Sequence, residues 1–213
     1  MSPNRRPAPD VIHASALPFT LEFTAAPDPT LAFVSTIRHD GQGGVADDLA
    51  DPAALTTWLA TQSFDAGVVD RALWLEVVAL RRAVRALFAE AVRPGPPSRA
   101  DSATLMPVAE AVDHLNRATL PLRPVLSWPP GGPPAMLQVN EPAPPAAVVI
   151  ATLAQAAMEF LSGPDRERLR ACPAPRCVRY FVKESARQEW CKPSCGNRAR
   201  VARHYRRQQE AAG

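Results

Sequence analysis

The feature that most constrains this chain is the placement of its four cysteines. All four fall in the last quarter of 213 residues, as Cys172-x4-Cys177 and, thirteen residues on, Cys191-x3-Cys195. Two close pairs joined by a short insert can bring four thiolates to one tetrahedral ion, each sulfur about 2.3 Å from Zn²⁺. With no export signal in view, such crowding favours a metal over disulfides. Pro173 and Pro175 stiffen the first loop and let both sulfurs point to one side. Val178 to Val182 reads as a strand leaving that turn. The second pair introduces a helix, because helix formers run from Gly196 to Arg207 and no proline follows Pro193. Cys195 then sits in or just before the first helical turn, where the helix dipole favours a thiolate. The expectation is a treble-clef-like module with one structural Zn²⁺ per chain, held by Cys172, Cys177, Cys191 and Cys195. So small a module buries too little apolar surface to fold unaided, and the ion supplies much of its folding energy. Phe181, Trp190 and Tyr205 are the candidates for its core.

The same segment concentrates the positive charge. From Gly163 to Gly213 there are 13 Lys and Arg against 5 Asp and Glu, a net of +8, whereas the preceding residues hold 11 against 16, a net of −5. An acidic body with a basic appendage suits a polyanionic partner. At 100° per residue, Arg200, Arg203, Arg206 and Arg207 share an arc of about 120° on the C-terminal helix. Val201, Ala202 and Tyr205 lie opposite and are expected to pack on the zinc knuckle. Guanidinium forks match phosphate oxygens and the guanine edge, so the arc is read as a nucleic-acid face. Arg198 stands outside it, to orient the knuckle or to reach a phosphate from the helix start. The partner expected for Arg198, Arg200, Arg203, Arg206 and Arg207 is double-stranded DNA, with structured RNA the alternative. Single-strand binding calls for aromatics among the basic residues, and only Tyr180 and Tyr205 are available.

The remainder is a globular body. The chain is 46% hydrophobic and 21% charged, and its 24 prolines, about twice the usual ~5%, require many loops between short elements. No apolar run approaches the ~20 residues of a membrane span, and Met1–Asp10 leads into no apolar signal core, so a cytoplasmic protein without membrane contact is expected. Residues 1–18 read as a flexible leader, 19–162 as a helical domain with a β-hairpin, and 163–213 as the zinc module. The fold class is mainly α with a small β component. Phe19 to Phe23 alternates as a short strand does. Asp28-Pro29 caps a short helix reaching Ile37, with a strand nearly as good a reading, and His39 to Gly44 is a loop. Asp51-Pro52 opens a helix bearing Leu55, Trp58 and Leu59. The clearest element spans Val69 to Val92, where Leu73, Val77, Leu80, Val84 and Leu87 form one apolar stripe and Arg81, Arg82 and Arg85 occupy other faces. Asp101 or Ser102 caps a helix through Leu105, Val108, Val112 and Leu115. Leu120–Trp128 and Ala135–Val139 flank Pro129–Pro134 as a hairpin, and an Ala-rich helix runs from Ala146 to Leu161.

Cys195-Gly196-Asn197-Arg198, preceded by Trp190-Cys191 and the Cys172/Cys177 pair, resembles the CGNR zinc finger, whose name those four residues spell. In that family the finger usually follows a domain called ABATE, a stress-induced transcription regulator. The ABATE signature resembles Leu-x-Asp-Phe-x-Asn-Thr, and Leu31 to Thr36 follows it with Ala32 and Ser35 in place of its polar pair. Asp48-Leu49, Leu55, Trp58-Leu59 and the Leu80-Arg81 helix also fit. The finger often has an aspartate two residues after its phenylalanine, where this chain has Lys183. The resemblance implies four cysteine ligands and a DNA-binding regulator. The long Leu73–Leu87 stripe, with no acid–base constellation in the N-terminal domain, points to effector sensing or homodimerisation there. An enzyme is the competing class, but His13, His39 and His114 are scattered, and no nucleophile elbow, phosphate loop or His-x3-His pair is present.

Overall fold

The computed structural model describes residues 28–101, 105–127, 135–140 and 143–212. The leader, the Phe19–Phe23 strand and the Pro129–Pro134 connection lie outside the described residues. Among the described residues the elements are mostly helical, with three two-stranded antiparallel sheets.

Helix α1 (Pro29–Val34) starts where Asp28 Oδ1 accepts from the Thr30 and Leu31 N–H groups, and α2 (Pro52–Thr61) starts where Asp51 accepts from Ala54 N–H. Each has proline in its first turn, which forfeits only an N–H that has no helical partner. Helix α1 stops three residues short of Ile37. Thr36 turns inward and donates to Phe33 O at 2.7 Å, and Ile37–His39 becomes β1, paired with β2 (Val45–Asp47). Asp40 closes the connecting turn by accepting from the backbone N–H groups of Gln42, Gly43 and Gly44.

Helix α3 (Arg71–Ala91) is the axis of the body, and its expected stripe from Leu73 to Leu87 is buried. It packs against α4 (Val108–Ala118) and α5 (Pro145–Ser162), with α1 and α2 on its other sides. Helix α4 begins later than expected. Asp101 does not cap it, because that carboxylate is buried in an ion pair with Arg85, and the helix starts after Pro107 instead. Strands β3 (Leu122–Ser127) and β4 (Ala135–Asn140) form the expected hairpin. By length and apolar content α5 could cross a bilayer, yet Val149, Ile150, Leu153, Ala154, Ala157 and Phe160 are buried in the body's core.

After a single turn, α6 (Asp165–Arg168), strands β5 (Leu169–Ala171) and β6 (Tyr180–Val182) pair with Leu169 opposite Val182. Helix α7 (Pro193–Ala212) ends the described chain. Leu169 and Tyr180 belong to the body's hydrophobic cluster, while Phe181, on the other side of β6, joins the cysteines. Strand alternation thus makes β6 a shared wall between body and finger.

Candidate metal centre and basic helix

The β5–β6 hairpin carries Cys172 and Cys177 in its loop, anchored where Cys172 N–H donates to Arg179 O at 2.9 Å. Cys177 N–H donates to Ala174 O, and Cys195 N–H donates to Lys192 O, each at 3.0 Å. Both pairs therefore use the same three-residue return to set their second sulfur. Arg176, just before Cys177, takes a left-handed φ of 63° to complete the first return.

The four sulfurs lie within 4.8 Å of one another. Cys177–Cys191, Cys191–Cys195 and Cys195–Cys177 separations are 3.7, 3.5 and 3.8 Å. A tetrahedron with ~2.3 Å Zn–S bonds has edges of about 3.8 Å, so the cluster has the dimensions of a closed four-thiolate zinc site. Hydrogen bonding with Cys177 and Cys191 holds the Cys172 thiol well below its ordinary value, while hydrogen bonding with Cys172 and Cys177, together with burial, pushes Cys191 up. Metal binding displaces the thiol protons, because the thiolate is the ligand.

The residues after Cys195 each have a visible task. A Cβ on Gly196 would stand 2.9 Å from Trp190 Cδ1, so glycine is what lets the indole seat against the start of α7. Asn197 is exposed, and its Oδ1 accepts from Arg200 Nη2. Arg198 is half-buried and directs Nη2 at Cys195 Sγ, 3.2 Å away. Four thiolates around Zn²⁺ leave a net charge of −2, and a guanidinium on a ligand sulfur offsets part of it. Of the five arginines singled out in the sequence, this one is turned to the cluster.

The rotation of α7 differs from expectation. Val201 and Tyr205 are 55% and 61% exposed and do not pack on the knuckle, so Tyr205 is no part of the finger's core. Cys195, Gly196 and Ala199 are buried and Ala202 half-buried. Small side chains let the helix backbone approach the knuckle closely, and that contact outweighs the larger apolar area of valine and tyrosine. Beyond Ala202 the helix projects, with Arg203, Arg206 and Arg207 exposed, as Arg200 is, and Glu210 the sole acid on α7. Arg203 and Arg206 lie toward the knuckle side, and Arg200 and Arg207 farther round.

Two arginines on α3 that the apolar stripe leaves on other faces are buried. Arg81 makes a bidentate pair with Asp47, both bonds 2.6 Å, and donates to Thr36 Oγ1. Burial raises the Asp47 pKa, but hydrogen bonds from Arg81 and Leu49 N–H outweigh it and hold the carboxyl below its usual value. Arg85 binds Asp101 through Nε and Nη2 at 2.7 and 3.0 Å and donates to Val34 O. Its Nη2 also reaches Val178 O, in the finger. Tyr180 donates to Asp101 Oδ2 at 2.8 Å and accepts from Ser98 N–H, and burial together with the Asp101 carboxylate pushes its pKa up. This network ties α3 and the segment after it to β6. The spacing of Arg81 and Arg85, four apart on a mostly apolar helix, is the signal that could have exposed them. Of the signature at Leu31–Thr36, the retained Phe33 and Thr36 are buried, whereas Ala32 and Ser35 are half-buried.

Comparison with known families matches residues 28–164 to ABATE, described as a putative stress-induced transcription regulator, and residues 168–208 to the CGNR zinc finger. These are regulator and zinc-finger families, not enzyme families. Together with the four-cysteine geometry, they give the protein one structural zinc. No curated protein matches the chain.

Proposed function

We propose, from the premise that this chain belongs to the ABATE family and ends in a CGNR zinc finger, that it is a transcription regulator docking α7 on double-stranded DNA. The zinc ligands are Cys172, Cys177, Cys191 and Cys195, and residues 163–213 are the DNA-binding unit. Residues 19–162 form the body, which serves effector sensing or homodimerisation in the cytoplasm. The observation that carries the reading is the rooting of α7. Its first turns are fixed by Cys195, Gly196 and Ala199, and the exposed part beyond Ala202 bears arginines and, until Glu210, no acid. A helix clamped at one end and cationic along the rest suits insertion against phosphates. Arg200, Arg203, Arg206 and Arg207 make the contacts, and Arg198 keeps the clamp oriented. Recovery of nucleic acid bound to the protein in cells, with DNase and RNase controls, tests this. DNase-sensitive recovery that disappears in a Cys195→Ser variant supports it. Recovery sensitive only to RNase, or none, overturns it.

A further inference from the structure

A cleft of about 390 Å³ opens where the finger meets the body, and residues from both line it. Arg203 and Arg206 come from α7, Trp190 and the loop prolines Pro173 and Pro175 from the knuckle, and Arg99 from the segment after α3. Three arginines and a tryptophan line one space, with no carboxylate among the described residues that line it. Its volume falls within the range of small-molecule sites, ~300–1,000 Å³.

Arg99 is not on a loose loop. Ser98 Oγ donates to Val178 O at 2.8 Å, and Ser98 N–H donates to the Tyr180 hydroxyl at 3.1 Å. Asp101, two residues on, is held by Arg85 and Tyr180 and donates its N–H to Ser98 O. Ser98 and Asp101 are buried while Arg99 itself is exposed. The contacts that fasten body to finger therefore also present Arg99 to the cleft. Trp190 is fixed as well, its five-membered ring against Gly196. Guanidinium groups carried on an anchored segment and on a rooted helix, beside a seated indole, suit a phosphate attached to a flat ring, with charge-assisted bonds to the one and stacking on the other.

We infer that this cleft binds one nucleotide unit, its phosphate on Arg99, Arg203 and Arg206 and its base against Trp190. The unit comes either as a free nucleotide or as part of a nucleic-acid strand. Because Arg203 and Arg206 also serve the proposed DNA contact, a free nucleotide would compete with DNA. That consequence rests on the DNA-binding reading, whereas the cleft's chemistry does not.

The full zinc-loaded chain is titrated calorimetrically with ADP, with inorganic phosphate, with a 20-base single strand and with a 20-base-pair duplex, for wild type and for Arg99→Gln. Arg99 is exposed, so zinc content and melting temperature should be unchanged in the variant, and Arg99→Lys keeps the charge should Gln disturb the fold. If the source is free, ADP binds more tightly than inorganic phosphate, weakens roughly tenfold or more in Arg99→Gln, and displaces duplex. If the source is a strand, ADP does not bind, but a single strand does, and its affinity falls by a similar factor in the folded variant. ADP binding without any duplex binding upholds the cleft while defeating the DNA-binding reading. No ADP binding together with single-strand affinity absent or indifferent to Arg99 overturns the inference.

Discussion

Replacing Arg85 by Met should be among the most damaging single changes in the protein. The guanidinium is 4% exposed and its partner Asp101 9%. Methionine fills much of the same volume but removes both bonds to Asp101 and those to Val34 O, Ser98 Oγ and Val178 O. Asp101 would keep only the Tyr180 hydroxyl among these partners, as a buried carboxylate without its counter-charge. Breaking a buried pair by removing one partner costs about 3–5 kcal/mol, roughly a fifth or more of a stability of ~5–15 kcal/mol. Arg81→Met supplies the internal comparison. Its partner Asp47 is 34% exposed and can be rehydrated, so the loss should be smaller. Urea unfolding of the zinc-loaded full chain, followed by circular dichroism, measures both. Adding Asp101→Asn to Arg85→Met should recover part of the loss, because the stranded charge goes too. A cost below about 1 kcal/mol for Arg85→Met, or an equal cost for Arg81→Met, would refute the argument from burial.

Three further outcomes follow from the geometry. Gly196→Ala gains helix propensity, up to ~1 kcal/mol, but sets a Cβ against Trp190, so overpacking should win and lower stability by about 1–3 kcal/mol, read by urea unfolding and by zinc retention against a chelator. Cys195→Ser should reduce zinc from one per chain to none by elemental analysis and loosen α7, while the body's helical signal is largely kept. Asp47 has a folded pKa below its usual 3.8, so its stabilisation is complete above that value and is lost as pH falls through the folded pKa. Acid unfolding of Asp47→Asn should accordingly show a flatter fall in stability below about pH 4 than wild type.

What could be read from sequence was local. Asp28-Pro29 and Asp51-Pro52 carry both the cap and the first-turn residue, so two helix starts are written in adjacent letters. The α3 stripe and the cysteine spacing are likewise short-range periodicities with one geometric solution. What escaped depended on partners far along the chain. Asp101 has the chemistry of a cap, but Arg85, sixteen residues away, and Tyr180, seventy-nine away, claim its oxygens. Thr36 ends α1 early because Arg81 and the Asp48 N–H meet it there. A helical wheel misplaces the rotation of α7 because it weighs apolar area alone. The knuckle selects instead for side chains small enough to let the backbone approach, namely Gly196, Ala199 and Ala202.

If zinc roots a cationic helix for DNA, the salt dependence of duplex binding reveals it. Wild type is compared with the variant in which Arg200, Arg203, Arg206 and Arg207 are all alanine. Four phosphate contacts release about four counterions, so the two slopes of log affinity against log salt should differ by about 3.6, taking ~0.9 per phosphate. Chelation of zinc from the wild type should abolish its binding. Equal slopes in the two proteins, or affinity that survives chelation, would contradict the account.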